Sequence, residues 1–100
     1  MYFITCFEKI TIGKLGWLDT ESTRTFGFVS TFAKAEQALN DNACDMHECL
    51  YDYAVVEDIN QGVLSLAEQR WVFKWDQHRE GFFEIEEPKE LQHYCNFALG

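Results

Sequence analysis

The segment over residues 70–86 reads RWVFKWDQHREGFFEIE and carries the clearest structural signal in the chain. Trp71, Phe73 and Trp75 fall on alternate positions, which is the period-two pattern of a β-strand. The loop over 77–81 contains a glycine, and the apolar residues after it predict a strand that returns antiparallel to the first. An antiparallel hairpin therefore anchors the predicted fold.

The aromatic residues of this hairpin share one face of the strand, and two uses of that face are open. Stacking on nucleic acid bases normally needs a basic groove, whereas acidic residues surround Lys74 and Arg79 here. Core packing against a helix is therefore the favoured interpretation of Trp71, Phe73 and Trp75. If part of this stripe is exposed, a protein interface is its natural use.

Three upstream segments predict further strands of the same sheet, at residues 2–7, 23–29 and 51–59. The first is apolar without interruption, as expected for a central strand that is covered on both faces. Gly27 interrupts the second and indicates a β-bulge or a close backbone approach. The third alternates, so that Glu57 shares one face with apolar residues.

One good helix is predicted over residues 32–40. Ser30 or Thr31 supplies its N-cap, and the polar residues over 40–42 end it. Its apolar positions share one face at helical spacing. These positions are Phe32, Ala35, Ala38 and Leu39.

Four other segments have weaker patterns. Residues 9–22 contain two glycines and predict a long connection, and residues 43–50 fit either a second short helix or an irregular turn. Residues 63–69 fit either a weak strand or a helical turn. Pro88 is well placed to open a short C-terminal helix that runs to Gln92.

This order of elements predicts an α+β fold, because strands and helices do not alternate as they do in a parallel sheet. We expect a mostly antiparallel sheet of four to five strands, with one main helix packed on one face and a short C-terminal helix. The 100 residues contain no linker-like stretch, so residues 1–100 are predicted to form a single domain.

Composition excludes several classes of function. Lys and Arg number 8 against 17 Asp and Glu, a net charge of −9, which disfavours direct binding of nucleic acid or of an anionic membrane. No basic leader precedes the first apolar run, and no stretch is long enough to span a bilayer. A folded cytoplasmic protein is therefore expected, and its four cysteines are expected to be reduced, with Cys6 and Cys95 buried.

The acidity is concentrated in one part of the chain. Residues 41–69 carry seven Asp and Glu and no Lys or Arg, so this third holds −7 of the total charge of −9. The candidate interaction surface consists of Asp41, Asp45, Glu48, Asp52 and Asp58. A helical conformation would place the first four on one face, where they would repel one another. A partner protein with a basic surface would offset that repulsion, and binding of such a partner is the first hypothesis.

A metal or thiol site around Cys44, His47 and Cys49 is the second hypothesis, because thiolate and imidazole are zinc ligands. The spacing is weak evidence, since no second ligand pair follows and the two cysteines do not have the redox spacing C-x-x-C. We therefore predict no metal and no cofactor.

An uncharacterised small enzyme is the third hypothesis. The stretch over residues 93–96, HYCN, contains the residue types of a cysteine protease, but nothing in the sequence orients its imidazole. The carboxylate pairs Glu57–Asp58 and Glu84–Glu86 are expected on solvated sheet faces rather than in a catalytic cleft. We therefore predict no catalytic residue.

Several stretches together carry a resemblance that spans nearly the whole chain. They are residues 2–9 (YFITCFEK), 23–28 (TRTFGF), 51–57 (YDYAVVE), 86–88 (EEP) and 96–100 (NFALG). In these stretches the chain resembles a group of short uncharacterised proteins of bacterial genomes and their mobile elements. The resemblance implies a free-standing bacterial protein of about this length, and it implies no activity, cofactor or site residue.

The sequence thus predicts a small non-enzymatic cytoplasmic protein that binds another protein through the acidic segment 41–58. In its sharpest form, this hypothesis makes the segment a mimic of nucleic-acid charge that occupies a basic groove. The oligomeric state is left open.

Overall fold

A five-stranded antiparallel sheet is the centre of the protein in a computed structural model, which describes residues 1–12, 18–21, 23–48, 51–59, 67–89 and 97–98. In chain order the strands are β1 (Tyr2–Phe7), β2 (Lys9–Ile12), β3 (Leu18–Glu21), β4 (Arg24–Val29), β5 (Tyr53–Ile59), β6 (Ala67–Asp76) and β7 (Gly81–Ile85). The order across the sheet is β4-β1-β5-β6-β7, and every neighbouring pair is antiparallel. The α+β prediction is confirmed.

The remaining two strands correct the prediction of a long connection over residues 9–22. β2 and β3 pair antiparallel, with Lys9 opposite Glu21 and Ile12 opposite Leu18, as a separate two-stranded sheet. The glycines at positions 13 and 16 favour a loop and are part of the basis for predicting a connection. The alternation of Ile with Lys and Thr over residues 9–12 is a strand pattern, although a short one.

The α-helix found among the described residues, α1 (Phe32–Asn40), has the predicted bounds. The Thr31 side chain accepts a hydrogen bond from the Lys34 backbone N–H at 3.2 Å, which satisfies one of the free donors of the first turn. Ala35 and Leu39 are buried, and Phe32 packs at the margin of the same cluster. The predicted apolar face of the helix is therefore the one that meets the sheet.

The two faces of the sheet carry separate apolar clusters. On the helix side the cluster contains residues from every strand of the sheet together with α1. On the opposite side Phe7, Val55 and Val72 pack around Phe97, which lies close to the C-terminal end of the chain. β1 is therefore covered on both faces, as its continuous apolar sequence predicts.

A β-bulge interrupts the pairing of β1 with β4. Ile4 lies opposite Gly27 whereas Thr5 lies opposite Thr25, so Phe26 is the extra residue. Gly27 has a φ of 150°, a backbone conformation that favours glycine. The bulge changes the facing pattern, because Phe26 packs on the helix side and the next residue, Gly27, lies opposite Ile4 of the same cluster. Thr25 contacts Thr5 on the other face. The prediction from Gly27 is confirmed.

The segment between α1 and β5 is a kinked 3-10 turn over Ala43–Glu48 rather than a second α-helix. Asn42, Cys44 and Asp45 all have left-handed backbone angles, with φ between 53° and 59°. Residues 63–66, and 90–92 of the predicted C-terminal helix, lie outside the described part of the chain. Residues 67–69, the rest of the ambiguous segment, belong to β6.

Candidate interaction surface

An open groove lies at the end of the sheet where β5 begins and β6 ends. Its volume is about 560 Å³, and the residues that line it come from the segment around the 3-10 turn, the residues just before β5, the end of β6 and the β6–β7 turn. They are Asn42, His47, Tyr51, Asp52, Trp75, Gln77 and Glu80. We call this feature the acidic groove, because its charged side chains are the carboxylates of Asp52 and Glu80.

The wall formed by the 3-10 turn is held by two hydrogen bonds of His47, one to the side chain of Asn42 and one to the backbone of Leu39 in α1. The His47 backbone N–H donates to Asn42 Oδ1 at 2.7 Å, and the His47 Nε2 atom lies in hydrogen-bond contact with the Leu39 carbonyl at the end of α1. Asn42 tolerates the left-handed conformation that this turn requires. The sequence at the end of the helix therefore places His47 in the groove wall.

Trp75 forms the aromatic wall. Its indole lies edge-to-face against the imidazole of His47, with ring centroids 5.0 Å apart, and against Phe82 at 5.3 Å. The Trp75 backbone N–H donates to the Asp52 carbonyl at 2.8 Å, so the strand-to-strand pairing fixes Asp52 beside this ring. Trp75 therefore packs on the core with one part of its side chain and lines the groove with another, so this end of the aromatic stripe is only partly buried.

The rest of the aromatic stripe belongs to the core. Phe73 is buried, and Trp71 packs against Phe32 of α1 with ring centroids 4.5 Å apart. The prediction that this stripe packs against the helix is confirmed for these two residues.

The structure brings together only part of the predicted acidic surface. Asp52 lines the groove, while Asp41 and Asp45 are exposed on the chain segment that supplies its Asn42 wall. Asp58 lies at the far end of β5, about 20 Å from Asp52 at the usual rise of a strand. There its carboxylate lies 3.6 Å from the amino group of Met1. The side chain of Glu48 is outside the described part of the structure.

The helical conformation that would align these acids on one face is not the one that this segment adopts. The left-handed angles at Cys44 and Asp45 break any helical path between Asp41 and Asp52. The exposed Asp41 and Asp45 instead lie on the turn segment that follows α1, whose Asn42 and His47 line the groove together with Asp52. Glu80, which the sequence analysis did not single out, joins the groove from the β6–β7 turn, and only the tertiary fold brings it there.

Glu57 corrects the prediction of a solvated carboxylate pair at the end of β5. Its side chain is 0% exposed, on the sheet face opposite α1. Its Oε2 atom accepts a hydrogen bond from Arg70 Nε at 3.1 Å, from the residue directly opposite on β6. Its Oε1 atom accepts from the backbone N–H groups of Phe97 at 2.8 Å and Ala98 at 3.3 Å.

Burial raises the pKa of the Glu57 carboxyl, against the opposing effect of the Phe97 N–H and of Arg70. Arg70 is shared, because its Nη1 atom donates to Glu87 at 3.1 Å and its guanidinium lies over the Phe97 ring at 4.9 Å. One signal in the sequence pointed here. Glu57 alternates with Tyr53 and Val55, which are apolar neighbours on the same face.

The other predicted sites are only partly described. Cys6 is buried as predicted, Cys44 is exposed, and Cys49 and Cys95 lie outside the described residues, as does His93. Within the described ranges no three His, Cys, Asp or Glu side chains are grouped as metal ligands would be. His47 instead packs its ring between Trp75 and Phe82.

Glu84 of β7 and Glu86, which follows the end of β7, are both exposed, as expected. In the part of the chain that the structure describes, no helix has the length and apolar character needed to cross a bilayer. No protein-family model, curated protein or solved structure matches the chain.

Proposed function

We propose that this chain is a small non-enzymatic, cytoplasmic binding protein that recognises a basic surface on another protein. The observation that carries the proposal is the acidic groove, where the carboxylates of Asp52 and Glu80 lie with the exposed Asp41 and Asp45 close by along the chain. Like charges at short range repel, and a partner that carries Lys and Arg turns that cost into attraction.

The cations near this end of the sheet lie beside the groove rather than in its lining, and Lys74 Nζ lies 5.7 Å from the centre of the Tyr53 ring. None of the described groove residues is Lys or Arg. Arg79, the nearest cation in sequence to Glu80, donates from Nε to Asp76 Oδ2 at 2.9 Å and lies over the Phe83 ring at 3.5 Å. The field of the groove is therefore left for a partner to neutralise.

A matched pair of triple variants tests the proposal. The groove variant carries Asp41→Asn, Asp52→Asn and Glu80→Gln, and the control carries Glu36→Gln, Glu84→Gln and Glu86→Gln. All three control residues are exposed, and none lines the groove. Both variants therefore lose the same charge, but at different places on the surface.

Each protein is immobilised and used to capture partners from a bacterial extract at about 0.05 and 0.5 M salt, which spans the range over which surface charges are screened. We expect a protein that is retained at low salt by the wild type and by the control, but not by the groove variant. Retention that is insensitive to salt, or equal retention by the groove variant, contradicts the proposal.

The sharpest form of the proposal, that the groove imitates the charge of nucleic acid, has its own test. Duplex DNA added to the captured complex should then release the partner, because both ligands would occupy one basic groove. If DNA leaves the complex intact, protein binding stands and the mimicry does not.

A further inference from the structure

The acidic groove combines carboxylates with an aromatic ring. Its volume of about 560 Å³ falls within the range of small-ligand sites, about 300–1,000 Å³. Trp75 offers an indole, Asp52 offers a carboxylate from the segment just before β5, and Glu80 offers one from the β6–β7 turn. Trp is the best of the aromatic side chains for attracting a cation to its face. This combination suits a ligand that is both positively charged and flat.

Elsewhere the same molecule holds its own arginines with the same two groups. The guanidinium of Arg79 lies 3.5 Å from the ring centre of Phe83 while its Nε donates to Asp76. The guanidinium of Arg70 lies over Phe97 while its Nε donates to Glu57. In both places a carboxylate and an aromatic ring hold a guanidinium. The acidic groove also presents carboxylates and an aromatic ring.

We propose that the acidic groove binds an arginine side chain of the partner, with the guanidinium over the Trp75 indole and hydrogen-bonded to Asp52 and Glu80. This inference rests on the proposed function and identifies the group that the site recognises. Arginine suits the site better than lysine, because its planar guanidinium both stacks on a ring and forms parallel hydrogen bonds to carboxylates. An ammonium group is more strongly hydrated and cannot stack.

The backbone of the site and its indole ring are held in place before any ligand arrives. The Asp52 backbone carbonyl accepts a hydrogen bond from the Trp75 backbone N–H, and the indole packs against the rings of His47 and Phe82. Glu80 has a φ of 52° in the β6–β7 turn, and Asp76 Oδ1 stabilises that turn by accepting from the backbone N–H groups of His78 and Arg79. Such preorganisation lowers the entropy cost of binding.

The test compares two peptides of identical length and spacing, one with three arginines among Gly and Ser and the other with three lysines. Each is titrated into the full chain by isothermal calorimetry at low salt. We expect the arginine peptide to bind about fivefold more tightly, the ratio that one additional net hydrogen bond supplies, because the guanidinium can stack and donate parallel hydrogen bonds at the same time. Asp52→Asn with Glu80→Gln should weaken both peptides and bring the ratio close to one.

The control is Glu84→Gln with Glu86→Gln, which removes the same charge from exposed positions outside the groove and should preserve the preference for arginine. Trp75→Leu should also abolish that preference. Because Trp75 packs on His47 and Phe82, that variant is informative only if its unfolding transition remains cooperative, and the groove carboxylates provide the independent test.

The outcomes separate the two proposals. If the wild type binds both peptides with equal affinity and the variant with Asp52→Asn and Glu80→Gln loses that affinity, the proposed function stands and the arginine site is overturned. If the preference for arginine persists after Asp52 and Glu80 are neutralised, the arginine site is also overturned. If neither peptide binds the wild-type protein, the proposed function falls as well.

Discussion

Asp52 and Glu57 are five residues apart in the sequence and occupy opposite environments. Glu57 is buried on the face of the sheet opposite α1, where Arg70 and two backbone N–H groups donate to its two oxygens. Asp52 is exposed in the acidic groove, where Glu80 is the other carboxylate. One carboxylate is satisfied by the protein itself, and the other faces solvent.

The difference separates structural acids from acids that are available for recognition. A buried carboxylate must be paired and hydrogen-bonded, because its desolvation would otherwise cost several kcal/mol. An exposed carboxylate contributes little to stability, so its position is free to serve binding. Of the net charge of −9, only the exposed part can attract a partner. Substitutions of Glu57 and of the groove carboxylates test whether the buried and the exposed acids differ in this way.

The largest effect is expected from Glu57→Ala. The substitution leaves the mostly buried guanidinium of Arg70 without this partner and the N–H groups of Phe97 and Ala98 without an acceptor. Loss of one member of a buried ion pair costs about 3–5 kcal/mol of unfolding free energy. Urea denaturation of the wild type and the variant measures this loss. A loss below about 1 kcal/mol, within the range of ordinary surface changes, would contradict the structural role.

A smaller effect concerns the pH dependence of stability. Burial raises the pKa of Glu57 above its ordinary value of 4.5, so the folded protein holds this proton more tightly than the unfolded chain does. The stability that this proton contributes is full below pH 4.5 and is lost as the pH rises through the folded pKa.

Glu57→Gln has no such proton and serves as the reference. From about pH 4 upward, the unfolding free energy of the wild type should fall relative to that of the variant, by no more than about 1.4 kcal/mol per pH unit. Urea denaturation at several pH values measures the difference. A wild type that gains stability over the variant as the pH rises would show that Arg70 and the N–H donors outweigh burial.

The smallest effect is expected in the groove. Asp52→Asn with Glu80→Gln should leave the unfolding free energy unchanged within about 0.5 kcal/mol, as is usual for exposed substitutions. Gln at position 80 keeps the left-handed backbone under the same strain as Glu. The same urea experiment provides the value. If the double variant loses more than about 1 kcal/mol, the groove carboxylates are structural and the comparison fails.

Local sequence patterns predicted most of the fold. The helix over 32–40, the bulge at Gly27 and the strand pattern of the 70–86 hairpin all depend on residues close together in the chain, and all are present. The acidic segment from residue 41 to residue 52 is likewise visible in the sequence, and Asp52 lines the groove. The position of Asp58 does not follow from its place in the sequence, because β5 carries it to the other end of the sheet.

The groove itself could not be predicted in the same way. Asp52 meets Trp75 through strand pairing, and Glu80 arrives through a turn whose position depends on the whole sheet. The left-handed angles at Cys44 and Asp45 have no sequence signal comparable to a glycine. Burial of Glu57 depends on Phe97, which is 40 residues away in the sequence. Contacts of this range leave no periodic pattern to detect.

The bulge in β4 also bears on how the protein resists aggregation. β4 is an outer strand of the five-stranded sheet, and an outer strand presents backbone donors and acceptors that a second chain can pair with. The extra residue Phe26 and the unusual angle at Gly27 break the regular spacing of those groups near the middle of the strand. A growing fibril needs an uninterrupted ladder, and this edge does not supply one.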